Sequence, residues 1–146
     1  MRKNWDSYFL QIAYQVATRA TCDRAHVGCV IVRDKSILSY GYNGSVHKSD
    51  HCCDTGCIIR DGHCVRTIHA EINAVIHAAR HGIRIDDGSL AYITHSPCYQ
   101  CFKVLVNSGI GEIYYGQEYR LDDLIFDEAN HLEIKMVNMD ECMTLS

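Results

Sequence analysis

The chain has 146 residues, 47% hydrophobic and 22% charged, a formal net charge of −4 and a pI near 6.1, which is the make-up of one soluble globular domain. This excludes a two-domain layout and a disordered, collagen-like or coiled-coil chain, and the lack of any basic cluster beyond Met1-Arg2-Lys3 disfavours broad polynucleotide binding. Nine cysteines, an odd count of about 6% of the chain, fall below disulfide-scaffold density and point to thiols or metal ligands in a reducing, cytoplasmic compartment.

The first residues, MRKNWDSYFLQIAY, start basic, but Asp6, Gln11 and Gln15 interrupt the apolar positions and no small-residue cleavage site follows. They do not read as a signal peptide, and no run of about 18 apolar residues marks a membrane span. Phe9, Ala13, Val16, Ala17 and Ala20 recur at helical spacing and predict a helix over residues 5–20. Val27–Val32 and Ile37–Tyr42, joined by a turn at Asp34-Lys35, predict a hairpin buried on both faces. Residues 43–65 show no periodicity and are rich in cysteine, a Cys-rich insertion at about 45–65 that is functional or tied down.

Ile68, Ile72, Val75, Ile76 and Ala79 predict a helix from Thr67 as N-cap to Gly82 as its stop. A strand over 89–94 follows, then Ser96-Pro97 as N-cap and first residue of a helix that Gly109 ends. Ile113–Tyr115 is a strand, residues 119–130 a helix, and alternating Leu132, Ile134 and Met136 an edge strand. Strands interleaved with helices predict one α/β domain over 1–146 with a mixed sheet, a hairpin first and parallel pairs later.

Two predicted helix starts carry metal-type side chains, His69-Ala70-Glu71 and Pro97-Cys98-Tyr99-Gln100-Cys101. H-x-E followed by P-C-x-x-C resembles the signature of zinc-dependent deaminases. The chemistry agrees. Cys98 and Cys101 stand one helical turn apart, and His69 from a second element makes three zinc ligands, leaving the fourth position open as in catalytic sites. His69 and Glu71 lie about 200° apart around an ideal helix, so a shared site requires the ion beyond the helix N-terminus. Glu71 then serves as proton shuttle, a role worth about 10²–10⁴ in rate. Cys-x-x-Cys alone also fits a redox pair or half a structural zinc site, and His-Ala-Glu alone occurs by chance.

Seven cysteines remain. Cys22, Cys52, Cys57 and Cys64 are the preferred ligands of a structural zinc tying down the loop, with His51, Cys53 or His63 able to replace one member. Cys29 reads as a core residue and Cys142 as an inert tail thiol.

The runs Cys22–Gly28, Gly41–Gly44, Asp61–Glu71 and Thr94–Cys98 resemble the phage and bacterial branch of the deoxycytidylate (dCMP) deaminases, of the cytidine deaminase superfamily. The resemblance implies a three-layer α/β/α cytidine-deaminase-like fold with a five-stranded mixed sheet, and zinc-dependent hydrolysis of dCMP to dUMP and ammonia, feeding thymidylate synthesis. It implies a homohexamer activated by dCTP and inhibited by dTTP, with Mg²⁺ accompanying the triphosphate. Carried over, Asn43 contacts the deoxyribose, backbone groups of Ala70 and Ser96 read the cytosine edge, and Arg24, Tyr119 and Arg120 flank the phosphate. Arg80 fits a subunit interface or a solvated helix end. One departure is Thr67, where some viral members place a carboxylate ligand of the structural zinc. Rival readings are a tRNA adenosine deaminase, a free cytidine deaminase and a non-enzymatic zinc module.

Overall fold

Alternation along one strand sets the layers. In β1 (Gly28–Arg33), Cys29 and Ile31 face one way and Val30 and Val32 the other, all fully buried. The computed structural model describes residues 1–140; Cys142 lies outside them. After α1 (Trp5–Ala17) and β1 come β2 (Ser36–Tyr42), β3 (Gly44–Ser45), α2 (Cys52–Thr55), β4 (Ile59–Arg60), β5 (His63–Cys64) and β6 (Thr67–Ile68). Then follow α3 (Ala70–Arg80), β7 (Ser89–His95), α4 (Tyr99–Asn107), β8 (Ile110–Gln117), α5 (Asp123–Leu132) and β9 (Lys135–Asn138).

The main sheet has the order β2-β1-β7-β8-β9, antiparallel at its first two junctions and parallel at its last two. It is the expected five-stranded mixed sheet. On one face, Phe9, Leu10 and Ala13 of α1 pack against Val30, Val32, Tyr92 and Tyr114. On the other, Ala70 and Ala74 of α3, Phe102 and Leu105 of α4, and Ile125 and Ala129 of α5 cover Cys29, Ile31, Ala91, Ile93 and Ile113. Each such leucine, isoleucine or phenylalanine contributes about 1.5–3 kcal/mol on burial. Cys29 is thus a core residue, its thiol pushed up by burial.

Close approach fixes the helices to the sheet. A Cβ on Gly41 would lie 2.3 Å from the Ala74 nitrogen and 2.5 Å from the Ala70 oxygen, so only glycine lets α3 seat this near β2. Gly28 plays the same part for α1, where a Cβ would come within 2.0 Å of the Ala13 oxygen.

Several boundaries differ from expectation. The first helix stops at Ala17, because Thr18 donates its hydroxyl back to the Gln15 carbonyl and closes the last turn. β2 is an outer strand with Ile37 and Tyr40 exposed, so of the two hairpin strands β1 alone is buried on both faces. Thr67 is not a cap but pairs with Ser45 in a two-stranded ribbon, and His69 takes the cap position of α3. Cys98, not Ser96, caps α4, so Pro97 precedes the helix. α5 starts at Asp123 because Asp122 accepts the Leu124 N–H, and it runs through Leu132, so the edge strand begins only at Lys135.

Candidate active site

The N-termini of α3 and α4 meet beside the end of β7. His69 is a cap residue in extended conformation, φ −64° and ψ 150°, so its side chain leaves the helical frame and the 200° separation from Glu71 no longer applies. Its Nδ1 lies 3.3 Å from Cys101 Sγ and 3.7 Å from Cys98 Sγ. Cys98 Sγ in turn accepts the Cys101 N–H at 3.5 Å, the bond that caps α4. Tetrahedral zinc with bonds near 2.3 Å to sulfur and 2.0 Å to nitrogen implies N···S separations of about 3.5 Å. The three donors fit that ion.

The electrostatics suit a cation. A hydrogen bond from the Cys101 thiol holds Cys98 down at about 4 against the effect of burial, with His69 and the Cys101 N–H adding to it. Cys101 is pushed far up by the same partnership with Cys98 and by burial. His69 is raised, first by its hydrogen bond with Cys98. Donors that share protons in this way exchange them for a metal ion. Glu71, the second residue of α3, is 4% exposed and its carboxyl is raised by burial.

His69, Glu71 and Cys98 line a cavity of about 590 Å³, ample for a nucleotide-sized ligand. Every residue expected to touch substrate lines it: Asn43, Ala70, Ser96, Arg24, Tyr119 and Arg120. Their local bonds refine what each offers. Asn43 is buried and fully engaged at the loop before β1, accepting the Val27 N–H at 2.8 Å and donating to the Ala25 carbonyl at 2.8 Å. The Ser96 hydroxyl exchanges hydrogen bonds with the backbone of Tyr119, at 2.7 and 2.8 Å, and the Ser96 N–H goes to the Gln117 carbonyl. Arg24 donates to the Gly62 carbonyl at 3.0 Å, and Arg120 stacks its guanidinium 5.0 Å from the Tyr119 ring centre. Arg80 is exposed in the last turn of α3, away from the cavity lining.

Two histidines on the wall were not singled out as substrate contacts. His95 ends β7, three residues before Cys98, with Nδ1 2.7 Å from the buried Thr94 hydroxyl. His63, considered only as a spare metal ligand, stands against Arg120, whose Nη1 lies beside both of its ring nitrogens. Proximity to Cys98 along the chain was the available signal for His95; His63 had none, because its partner is 57 residues away.

A second donor set sits at the rim. The sulfurs of Cys22, Cys52, Cys57 and Cys64 lie within 4.8 Å of one another, with Cys22–Cys57 at 3.6 Å and Cys52–Cys64 at 3.5 Å. Four sulfurs around a zinc ion stand about 3.8 Å apart. Burial raises Cys64, but N–H groups of Arg66 and Ile58 and the neighbouring thiols bring it down to about 6. His51 and Cys53 are exposed and outside this set, as is His63.

The comparisons agree with this geometry. The model of the cytidine and deoxycytidylate deaminase zinc-binding region matches residues 3–117. ComE operon protein 2 of Bacillus subtilis is 41% identical over 143 residues, covering 96% of this chain and 75% of its own. The deoxycytidylate deaminase of Mycobacterium phage D29 is 34% identical over 129 residues, covering 80% of this chain and 98% of its own. The dCMP deaminase of cyanophage S-TIM5, solved in complex with dCMP and dUMP, superposes with a TM-score of 0.81 at 30% identity over 95% of this chain and 99% of that one. With a five-stranded mixed sheet, a capped His-Ala-Glu and a capped Cys-x-x-Cys in the positions such a fold requires, the chain belongs to the zinc-binding family of cytidine and deoxycytidylate deaminases.

Proposed function

We propose that the protein hydrolyses dCMP to dUMP and ammonia, as one deaminase domain carrying the 45–65 segment as an insertion. The observation that carries this is the convergence of His69, Cys98 and Cys101, with His69, Cys98 and the buried Glu71 lining a cavity that Arg24 and Arg120 also line. Zinc held by the three donors lowers the pKa of water towards neutrality, so that a nucleophile for the amine-bearing ring carbon exists near pH 7.

The chain's own groups do the rest. Glu71, whose carboxyl is raised by burial and so holds a proton more readily than an exposed one, takes a proton from water as the carboxylate, delivers it to the ring nitrogen and then moves one to the departing amine. The N–H of Ala70, at helix position N1, has no carbonyl partner within α3 and can donate to the cytosine carbonyl. Since the Ser96 N–H is committed to Gln117, the Ser96 carbonyl is the group left to accept from the exocyclic amine. Asn43 shapes the deoxyribose end of the cavity. Arg24 and Arg120, with Tyr119 beneath the latter, supply charge for a monophosphate. The four-cysteine set holds a structural zinc.

The regulatory part of the reading, a homohexamer activated by dCTP with Mg²⁺ and inhibited by dTTP, rests on the resemblance alone, as does supply of dUMP for thymidylate. A cytoplasmic setting is supported by the eight free thiols among the described residues. No helix among them is long and apolar enough to cross a membrane.

Ammonia release from dCMP, CMP, dCTP, cytidine and single-stranded DNA, each with and without dCTP and dTTP, tests the whole reading. Turnover of dCMP above the others is expected; turnover of polynucleotide without dCMP would overturn it.

A further inference from the structure

The cavity lip is the least self-sufficient part of the molecule. The β4–β5 hairpin and its flanks carry Ile58, Ile59 and Val65 at 41%, 48% and 50% exposure, so no apolar core holds this segment down. Among the described residues its attachments are few: Arg24 to the Gly62 carbonyl, Cys53 N–H to the Thr21 carbonyl, Arg120 to His63, and the cysteine cluster. Yet the segment places His63 on the cavity wall and against Arg120.

The four sulfurs come from both sides of that wall. Cys22 lies two residues before Arg24, on the body of the protein, and Cys64 directly follows His63 at the end of β5. Cys52 opens the single turn of α2 and Cys57 follows it. Cys22 and Cys64 themselves line the cavity. An ion bound by all four ties the Arg24 loop to the His63 strand, and its binding energy becomes ordering energy for a segment with little of its own.

We propose that the Cys22/Cys52/Cys57/Cys64 site is a positioning device for substrate: metal bound there sets the Arg24–His63–Arg120 lip that grips the nucleotide phosphate, with His63 a specificity-determining contact. This rests on the dCMP reading above. The catalytic donors are on separate elements, so loss of the second metal weakens nucleotide binding and leaves the first metal in place.

Cys57→Ser, His63→Ala and, as control, Cys53→Ser are to be compared with the intact protein. The readouts are zinc per chain by mass spectrometry, dUMP affinity by calorimetry and KM for dCMP. Cys57→Ser should hold one zinc instead of two and bind dUMP about tenfold more weakly, the loss of roughly one charge-assisted hydrogen bond. His63→Ala should lose affinity similarly with both zincs retained, which keeps the test open if Cys57→Ser does not fold. Cys53→Ser, outside the donor set, should match the intact protein. Unchanged dUMP affinity in Cys57→Ser with one zinc, or in His63→Ala, overturns the proposal. An intact protein that neither binds dUMP nor turns over dCMP instead overturns the functional reading.

Discussion

Cys101 Sγ lies 3.3 Å from His69 Nδ1, although 32 residues separate them. The contact exists because α3 and α4 lie on the same face of the sheet with their N-termini at one end, and because each begins with a ligand as its cap. Cap residues have extended backbones, which set their side chains at the end of the helix rather than on its lateral face. This turns two helix starts, with their partial positive charge, into one site for thiolates and a metal ion.

Glu71 approaches the same point from the second residue of α3, buried and with its carboxyl raised. Glu71→Ala should keep its zinc, since Glu71 is not among the three donors, and lose about 10²–10⁴ in kcat. Metal analysis alongside steady-state deamination checks this; a near-normal rate removes Glu71 from the reaction.

Asn43 satisfies two backbone groups of the 25–27 loop. Asn43→Ala leaves the Val27 N–H and the Ala25 carbonyl unpaired and should cost about 1–3 kcal/mol of stability. Asn43→Asp retains the acceptor for Val27 but sets a second acceptor against the Ala25 carbonyl in a buried position, so it should be destabilised at least as much as Asn43→Ala in urea unfolding. If both variants unfold like the parent but show a raised KM, the residue serves substrate alone.

Gly41→Ala places a Cβ 2.3 Å from the backbone of α3. Overpacking of this kind costs about 1–3 kcal/mol. Because α3 carries His69 at its start, the variant should also bind zinc more weakly, a shift that competition with a chromogenic chelator would register. Parental stability would mean that β2 yields at no cost.

His77 gives a pH test away from the metal donors. Its ring stacks between Tyr40 and His81, with Nδ1 3.1 Å from the Ser39 hydroxyl. Burial first, and the His81 charge second, lower it from its ordinary 6.5. A base depressed on folding contributes stability that is complete above the unfolded value and lost as pH falls through the folded one. Urea midpoints should therefore fall from about pH 6.5 downwards, and less steeply in His77→Gln. Part of the slope should persist, because burial also lowers His95. Identical slopes would exclude His77 as a contributor.

What could be read along the chain was whatever depends on near neighbours. A continuous apolar run revealed β1 and helical spacing revealed α3, and ligand-type residues at helix starts revealed His69, Glu71, Cys98 and Cys101, because those signals span a few residues. Exact caps escaped: the bond of Thr67 to a strand 22 residues earlier displaced the N-cap to His69, and tertiary pairing outweighed local preference. The choice of four cysteines among several donors, the capture of Asn43 by Ala25 and Val27, and the meeting of His63 with Arg120 were decided only by the fold. Each depends on which loops the sheet brings to one end, a distance in space that no spacing in sequence encodes.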